Sequence, residues 1–498
     1  MDKNAVVGLD AIDLDTATIP DLVRRFEAGS LTSVALTEAY LDRIRTVDPK
    51  LRSVLFVDPN ALVQAAVSDR RRAEGGTLGP LDGIPVLLKD NIDTHDLPTT
   101  AGSRALLVAP AWSDAWLVRR LRAAGAVLLG KTNLSEWANF RSTHSTSGWS
   151  ALGGQTVNPH VLDRNPSGSS SGSAVAVAAS LTQVAIGTET DGSIVGPGGA
   201  CGVAGCKPTI GLVSRTGVVP ISAEQDTPGP MARHVVDLAI TLAVLRGMDP
   251  DDPATVGYPD GVTDYVAALD SDVLRGARIG VWRIPGQAAG VDVVLESTVD
   301  ILVAAGATVV PVDLPYQVEL GVVELPSMWA EFHAGLERYL ATRPGAPRDL
   351  AELIEFNRAD PVELSRFPQD HFEAAAAAPP LTDPEYRRQR ARATDLARRS
   401  IDEPMAAQRL DAIVAPSNGP AWLIDYDNGD KDEIGSSSPA AVAGYPTVTV
   451  PAGFDGPLPI GMSFLAGRYA DAYVLAVAAA FERAAKARRP PAYLPTIT

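Results

Sequence analysis

With 498 residues, 46% of them hydrophobic, and no Pro/Ser/Gly-rich or charge-dense linker, the chain is expected to fold as one large α/β domain over 1–498 with a sizeable core. Sixty acidic against 43 basic residues leave a formal charge of −17, which repels phosphate backbones and argues against nucleic acid as a direct ligand. No run reaches the roughly 18 apolar residues of a membrane span, and Met1 to Asp10 show no basic region leading into an apolar core, so a soluble cytoplasmic protein is expected.

In chain order, Pro20 to Ala28 and Thr32 to Val47 read as helices; in the second, Leu36, Tyr40, Leu41 and Ile44 share one face. Gly83 to Leu88 is a short apolar run, read as a buried strand that ends in Lys89, with Asp90 and Asn91 following. Trp116 to Ala124, Gly125 and Ala126 to Leu129 read as helix, cap and strand, and Val291 to Ala305, Gly306 and Ala307 to Val312 repeat the pattern. Further strands are predicted at Arg278 to Val281, Ala412 to Ala415, Thr447 to Val450 and Ile460 to Phe464, the last two separated by a loop rich in Gly and Pro. Leu320 to Leu410 reads as mostly helical, with an Ala-rich stretch from Glu373 to Pro379, and Arg488 to Pro491 as a solvated tail.

The chemistry concentrates between Pro166 and Gly205. A flexible Gly/Ser linker has no reason to run on into Ala174 to Ala179 and Val184 to Gly187, a close-packed helix and a buried strand, so these glycines belong to turns inside a core. Serine catalysis needs a hydroxyl, a base and N–H donors aimed at an oxyanion. Ser193 follows Thr190, Asp191 and Gly192 where a strand ends, and Gly192 lets successive N–H groups converge with no Cβ in the way. The six histidines show no triad spacing, whereas Lys89 is one of only seven lysines and sits in an apolar run, where burial favours a neutral amine able to act as a base near pH 7.

Gly83 to Asn91, Gly168 to Ala174, Gly187 to Ile194 and Cys201 to Thr209, in that order and spacing, resemble the amidase signature family. The resemblance implies a central mixed β-sheet flanked by helices on both faces, a signature core over about 80–235, and a variable, mostly helical substrate-covering region over about 320–410. It also implies a catalytic triad with Ser193 as nucleophile, Ser169 as a serine held through a cis peptide, and Lys89 as base, with Thr190, Asp191 and Gly192 around the oxyanion. Ser147 to Ser150, Gly153 to Thr156, Gly211 to Arg215, Ile221 to Thr227 and Ala334 to Tyr339, together with Asp191 where much of the family has glycine, look most like the bacterial peptide amidases. No metal or organic cofactor is implied; the expected partner is a small-molecule or peptide amide, and oligomeric state is left open.

Competing readings attach to several residues. Lys89 could snorkel to solvent and pair with Asp90. Gly168 to Gly172 fits the G-x-S-x-G nucleophile elbow, which would make Ser170 the nucleophile and require a histidine downstream. Asp191 could merely cap its own turn, and Trp137 and Trp149 could line a pocket or simply pack in the core. Cys201 and Cys206 are expected to be packed free thiols, since C-x₄-C alone lacks the ligands of a zinc site. Amidases of aryl, fatty or small aliphatic amides, a member of an amidotransferase complex, and a catalytically dead scaffold are the alternative functions.

Overall fold

The computed structural model describes residues 12–107, 111–257, 264–270, 272–431 and 435–497; the N-terminal stretch from which the absence of a leader was read lies outside them. The strands are β1 (Val54–Val57), β2 (Pro85–Lys89), β3 (Val127–Thr132), β4 (Trp149–Ser150), β5 (Gly154–Gln155), β6 (Val184–Glu189) and β7 (Ala204–Lys207). They continue with β8 (Thr227–Ala232), β9 (Arg278–Trp282), β10 (Thr308–Val312), β11 (Ala412–Pro416), β12 (Thr447–Asp455) and β13 (Leu458–Leu465). All but β4 and β5 join one mixed sheet in the order β1-β3-β2-β6-β8-β7-β12-β13-β11-β9-β10. Neighbouring strands are parallel from β3 through β2 to β6 and from β11 through β9 to β10, and antiparallel elsewhere.

Successive strand residues face opposite sides of a sheet, yet every residue of β2, β3, β6, β7 and β8 is buried. Both faces are therefore covered, as the apolar runs of β2 and β6 require. One cover is the helix Ser171–Ala178, whose small residues let it lie against β2, β6 and β8.

The predicted helices and strands fall where expected, with two helix–Gly–strand junctions turned by Gly125 and Gly306 in the left-handed region. Three differences are informative. Thr227–Ala232, with Pro228 and Pro230, does not read as a strand, yet β8 pairs with β6 along its whole length. Its pairing with β7 is confined to Met231 and Ala232, so the prolines sit where one side of the strand has no ladder to supply. The loop expected between the last two strands shrinks to Gly456 and Pro457, because β12 and β13 extend towards each other through a hairpin. The C-terminal tail is not simply solvated: Arg488 Nη1 donates to the Asp15 carbonyl at 2.7 Å, and Leu494 exchanges backbone hydrogen bonds with His160 and Leu162. Cys201 and Cys206 are buried free thiols.

Candidate active site

Strand alternation separates Lys89 from Asp90. The Asp90 carboxylate turns to Lys131 and Thr100, so the pairing of Lys89 with its neighbour does not occur. Lys89 is fully buried, with Nζ 2.7 Å from Ser169 Oγ, 2.9 Å from Thr188 Oγ1 and 3.2 Å from the Thr188 carbonyl oxygen. Burial pushes its pKa from 10.5 down to about 7, against the opposing pull of the Asp226 and Glu189 carboxyls. A neutral amine has two N–H donors and one lone pair, and the carbonyl can only accept, so one of the two hydroxyls donates to Nζ. Asn91 Nδ2, 2.9 Å from Thr188 Oγ1, helps to hold that hydroxyl in place.

The serine loop assigns each hydroxyl a different task. The Gly168–Ser169 peptide is cis. Ser170 is wholly buried: its hydroxyl donates to the Thr188 carbonyl at 3.0 Å and accepts the Thr188 N–H at 3.2 Å, stitching the loop to β6. Gly187 permits that approach, since a Cβ there would lie 2.8 Å from Ser170 Oγ. Ser171 Oγ donates to the Ser167 carbonyl at 2.6 Å, and Ser173 Oγ to that of Ile186 at 3.2 Å. The elbow reading of Ser170 therefore fails. Residues 161–166 form no strand leading into the helix, and none of the six histidines hydrogen-bonds to Ser169, Ser170 or Ser193.

Ser193 follows β6 on a turn at Gly192, whose φ of +79° suits glycine. The Ser193 residue keeps 8% of its surface, against none for Ser170. Its carbonyl accepts the Ser170 N–H at 3.1 Å, while its hydroxyl makes no hydrogen bond among the described residues. The structure thus brings Lys89 and Ser169 into contact and leaves the Ser193 hydroxyl uncommitted. The N–H groups of Asp191, Gly192 and Ser193 likewise donate to nothing among the described residues. The next two N–H groups, of Ile194 and Val195, are taken by Glu189 Oε2 at 2.7 and 3.0 Å. Burial raises the Glu189 pKa, opposed by Lys207 and these two N–H groups.

Thr190 Oγ1 donates to Asp226 Oδ1 at 2.6 Å, and burial holds the Asp226 pKa up at about 6. Asp191 is half-buried beside Ser437, Ser438 and Glu324. Burial raises the pKa of both carboxyls, and the facing Asp191 carboxyl holds that of Glu324 well above its ordinary value.

A cavity of about 290 Å³ is lined by Gly168, Asp191, Gly192, Asn418, Trp422 and Ser437, next in sequence to both Ser169 and Ser193. A second of about 550 Å³ shares Gly419 and Trp422 with it and continues to Arg164 and Lys431. The aromatic lining is Trp422, which sequence reasoning passed over. Trp137 and Trp149 instead pack edge-on against Phe372 and Phe367. Sequence reasoning also missed Thr188 and Asn91, although Thr188 lies within the quoted Gly187 to Ile194 motif. The helical region falls at Gln317–Leu340, Leu350–Ala359, Asp370–Ala376 and Pro384–Gln408, and reaches the loop through Glu324.

The family profile described as Amidase matches residues 35–475, and the chain belongs to the amidase family. It is accordingly a hydrolase of amide bonds. Its fold is similar to that of the native peptide amidase from Stenotrophomonas maltophilia, with 50% identity and a TM-score of 0.93 over 96% of this chain and 99% of that one. A probable amidase of Arabidopsis thaliana is 39% identical over 497 residues, covering 97% of this chain and 92% of the relative. A subunit of the glutamyl-tRNA(Gln) amidotransferase of Chloroflexus aggregans is 36% identical over 476 residues, covering 92% and 94%. No helix among the described residues is long and apolar enough to cross a membrane.

Proposed function

We propose that the chain removes the C-terminal amide of peptides through an acyl-enzyme on Ser193, with Ser169 as proton relay and Lys89 as base. Ser193 Oγ attacks the carboxamide carbon as its proton moves to Ser169 Oγ and the Ser169 proton moves to neutral Lys89 Nζ. The negative charge on the former carbonyl oxygen is met by N–H groups of the 190–193 loop. Collapse expels the nitrogen, protonated by the returning proton, as ammonia. Water then adds to the ester by the same route, and the peptide acid leaves.

The observation that carries this reading is a wholly buried lysine 2.7 Å from a serine hydroxyl, with a pKa near 7. A base whose pKa lies near the operating pH combines availability with driving force. The C-terminal peptide amide is favoured by the 50% identity with a peptide amidase. The polar lining and neighbouring larger cavity also suit a chain that continues on one side of the carboxamide only.

A second reading, the ammonia-producing member of an amidotransferase complex, is favoured by the similarity to the Chloroflexus protein. Ammonia release by the purified chain alone separates the two, using amidated peptides, free amino-acid amides and anilides, with Ser193→Ala as the blank. The expected order puts amidated peptides first and leaves the blank silent. Uniformly poor rates on peptides would remove the peptide assignment, and an active Ser193→Ala would remove the nucleophile.

A further inference from the structure

The Gln225 side chain lies wholly buried between the nucleophile loop and the helical region. Its amide orientation follows from chemistry. A guanidinium offers only donors, so Arg390 Nη1, 2.7 Å away, must meet the amide oxygen. The amide nitrogen then faces the Thr190 carbonyl oxygen at 3.3 Å and Glu324 Oε1 at 2.8 Å. Arg390 is itself fixed by two bonds to Glu331, at 2.6 and 2.7 Å, and Tyr386 donates to the same carboxylate at 2.8 Å. Glu324 and Glu331 come from the helix Gln317–Leu340, Tyr386 and Arg390 from Pro384–Gln408. On the other side, Thr190 Oγ1 is held by Asp226.

In a trans peptide the carbonyl of one residue and the N–H of the next point in opposite directions. Whatever grips the Thr190 carbonyl therefore aims the Asp191 N–H, one of the three uncommitted donors beside Ser193. We infer that Gln225 is a positioning residue: it orients the Thr190–Asp191 peptide towards the developing oxyanion and fastens that orientation to the two long helices. The inference rests on the proposed role of the 190–193 loop as oxyanion hole. It also gives the helical region a part in the chemical step, beyond covering the substrate.

The test compares the wild-type full chain with Gln225→Glu and Gln225→Met. The first keeps an oxygen for Arg390 but turns a second oxygen towards the Thr190 carbonyl; the second keeps length and removes every polar atom. For each, kcat and KM are measured on the best amide, together with the inhibition constant of a matching peptide aldehyde, which places an oxyanion in the hole when Ser193 adds to it. Displacing a donor from the oxyanion is expected to lower kcat by about 10- to 100-fold, with KM changed by less than about threefold and aldehyde affinity weakened by the same factor as kcat/KM.

Unchanged kcat, a rise in KM alone, or unaltered aldehyde affinity in a folded variant would overturn the inference while leaving the proposed function standing. Should the Glu variant not fold, the Met variant decides. If neither folds, the side chain serves packing before positioning and the inference falls. Wild-type protein that releases ammonia from no amide overturns the reading beneath it as well.

Discussion

Lys89 and Lys131 stand at the same end of the sheet on the neighbouring strands β2 and β3, where Leu88 is the register partner of Lys131 and Lys89 that of Thr132. Both are wholly buried, and burial lowers the pKa of both. Their partners differ. Lys131 Nζ pairs with Asp90 at 3.4 Å and donates to the Ile92 carbonyl at 2.7 Å and Thr99 Oγ1 at 2.9 Å. Among the described residues Lys89 has no carboxylate in contact, only two hydroxyls and a carbonyl, and one of those hydroxyls belongs to Ser169. A carboxylate in contact favours the ammonium and makes the lysine a structural cation; hydroxyls alone leave the amine free to exchange a proton.

The widest separation of the two lysines comes from removing each in turn. Lys89→Ala is expected to lower kcat/KM by about 10³-fold or more at neutral pH. It should not weaken the fold at acid pH, because below about 7 the folded chain holds a buried ammonium that the unfolded chain hydrates. A variant that keeps most of its activity would mean that Lys89 is not the base. Lys131→Met should do the reverse. It strands the buried Asp90 charge and is expected to cost about 3–5 kcal/mol in urea unfolding, with kcat per folded molecule little changed; a stable but inactive protein would give Lys131 a chemical role. Ser170→Ala sharpens the contrast from the serine side with the smallest effect. Losing its two bonds to Thr188 should cost about 2 kcal/mol and change kcat/KM by less than about threefold. A loss of turnover equal to that of Ser193→Ala would restore the elbow reading.

Much of this was legible in the chain. Continuous apolar runs gave β2 and β6, and a lysine ending one of them was visibly out of place. That signal alone did not discriminate, because Lys131 and Lys207 are equally buried. Lys131 ends the run Val127 to Gly130, and Lys207 follows Ala204 to Cys206, so the criterion fits three of the seven lysines. What singles out Lys89 is the serine that a distant loop brings to it, and only the fold or the family spacing could supply that. Thr188 and Gln225 lie inside quoted motifs but were given no role, and Trp422 lies in none; each acquires its role from partners far along the chain, such as Gln225 from Arg390, 165 residues away. β8 was hidden by two prolines that a strand tolerates only where one neighbour stops short.

The central claim is that Lys89 is neutral at working pH and takes the Ser193 proton through Ser169. Its most direct measurement is the rate at which a serine-directed fluorophosphonate phosphonylates the enzyme with loss of fluoride, followed from about pH 5 to about pH 9. Because the neutral amine is the active form, the rate is expected to rise with pH and level off, with a midpoint at about 7. A rate flat across that range, or one still climbing towards the ordinary lysine value of 10.5, would contradict the account.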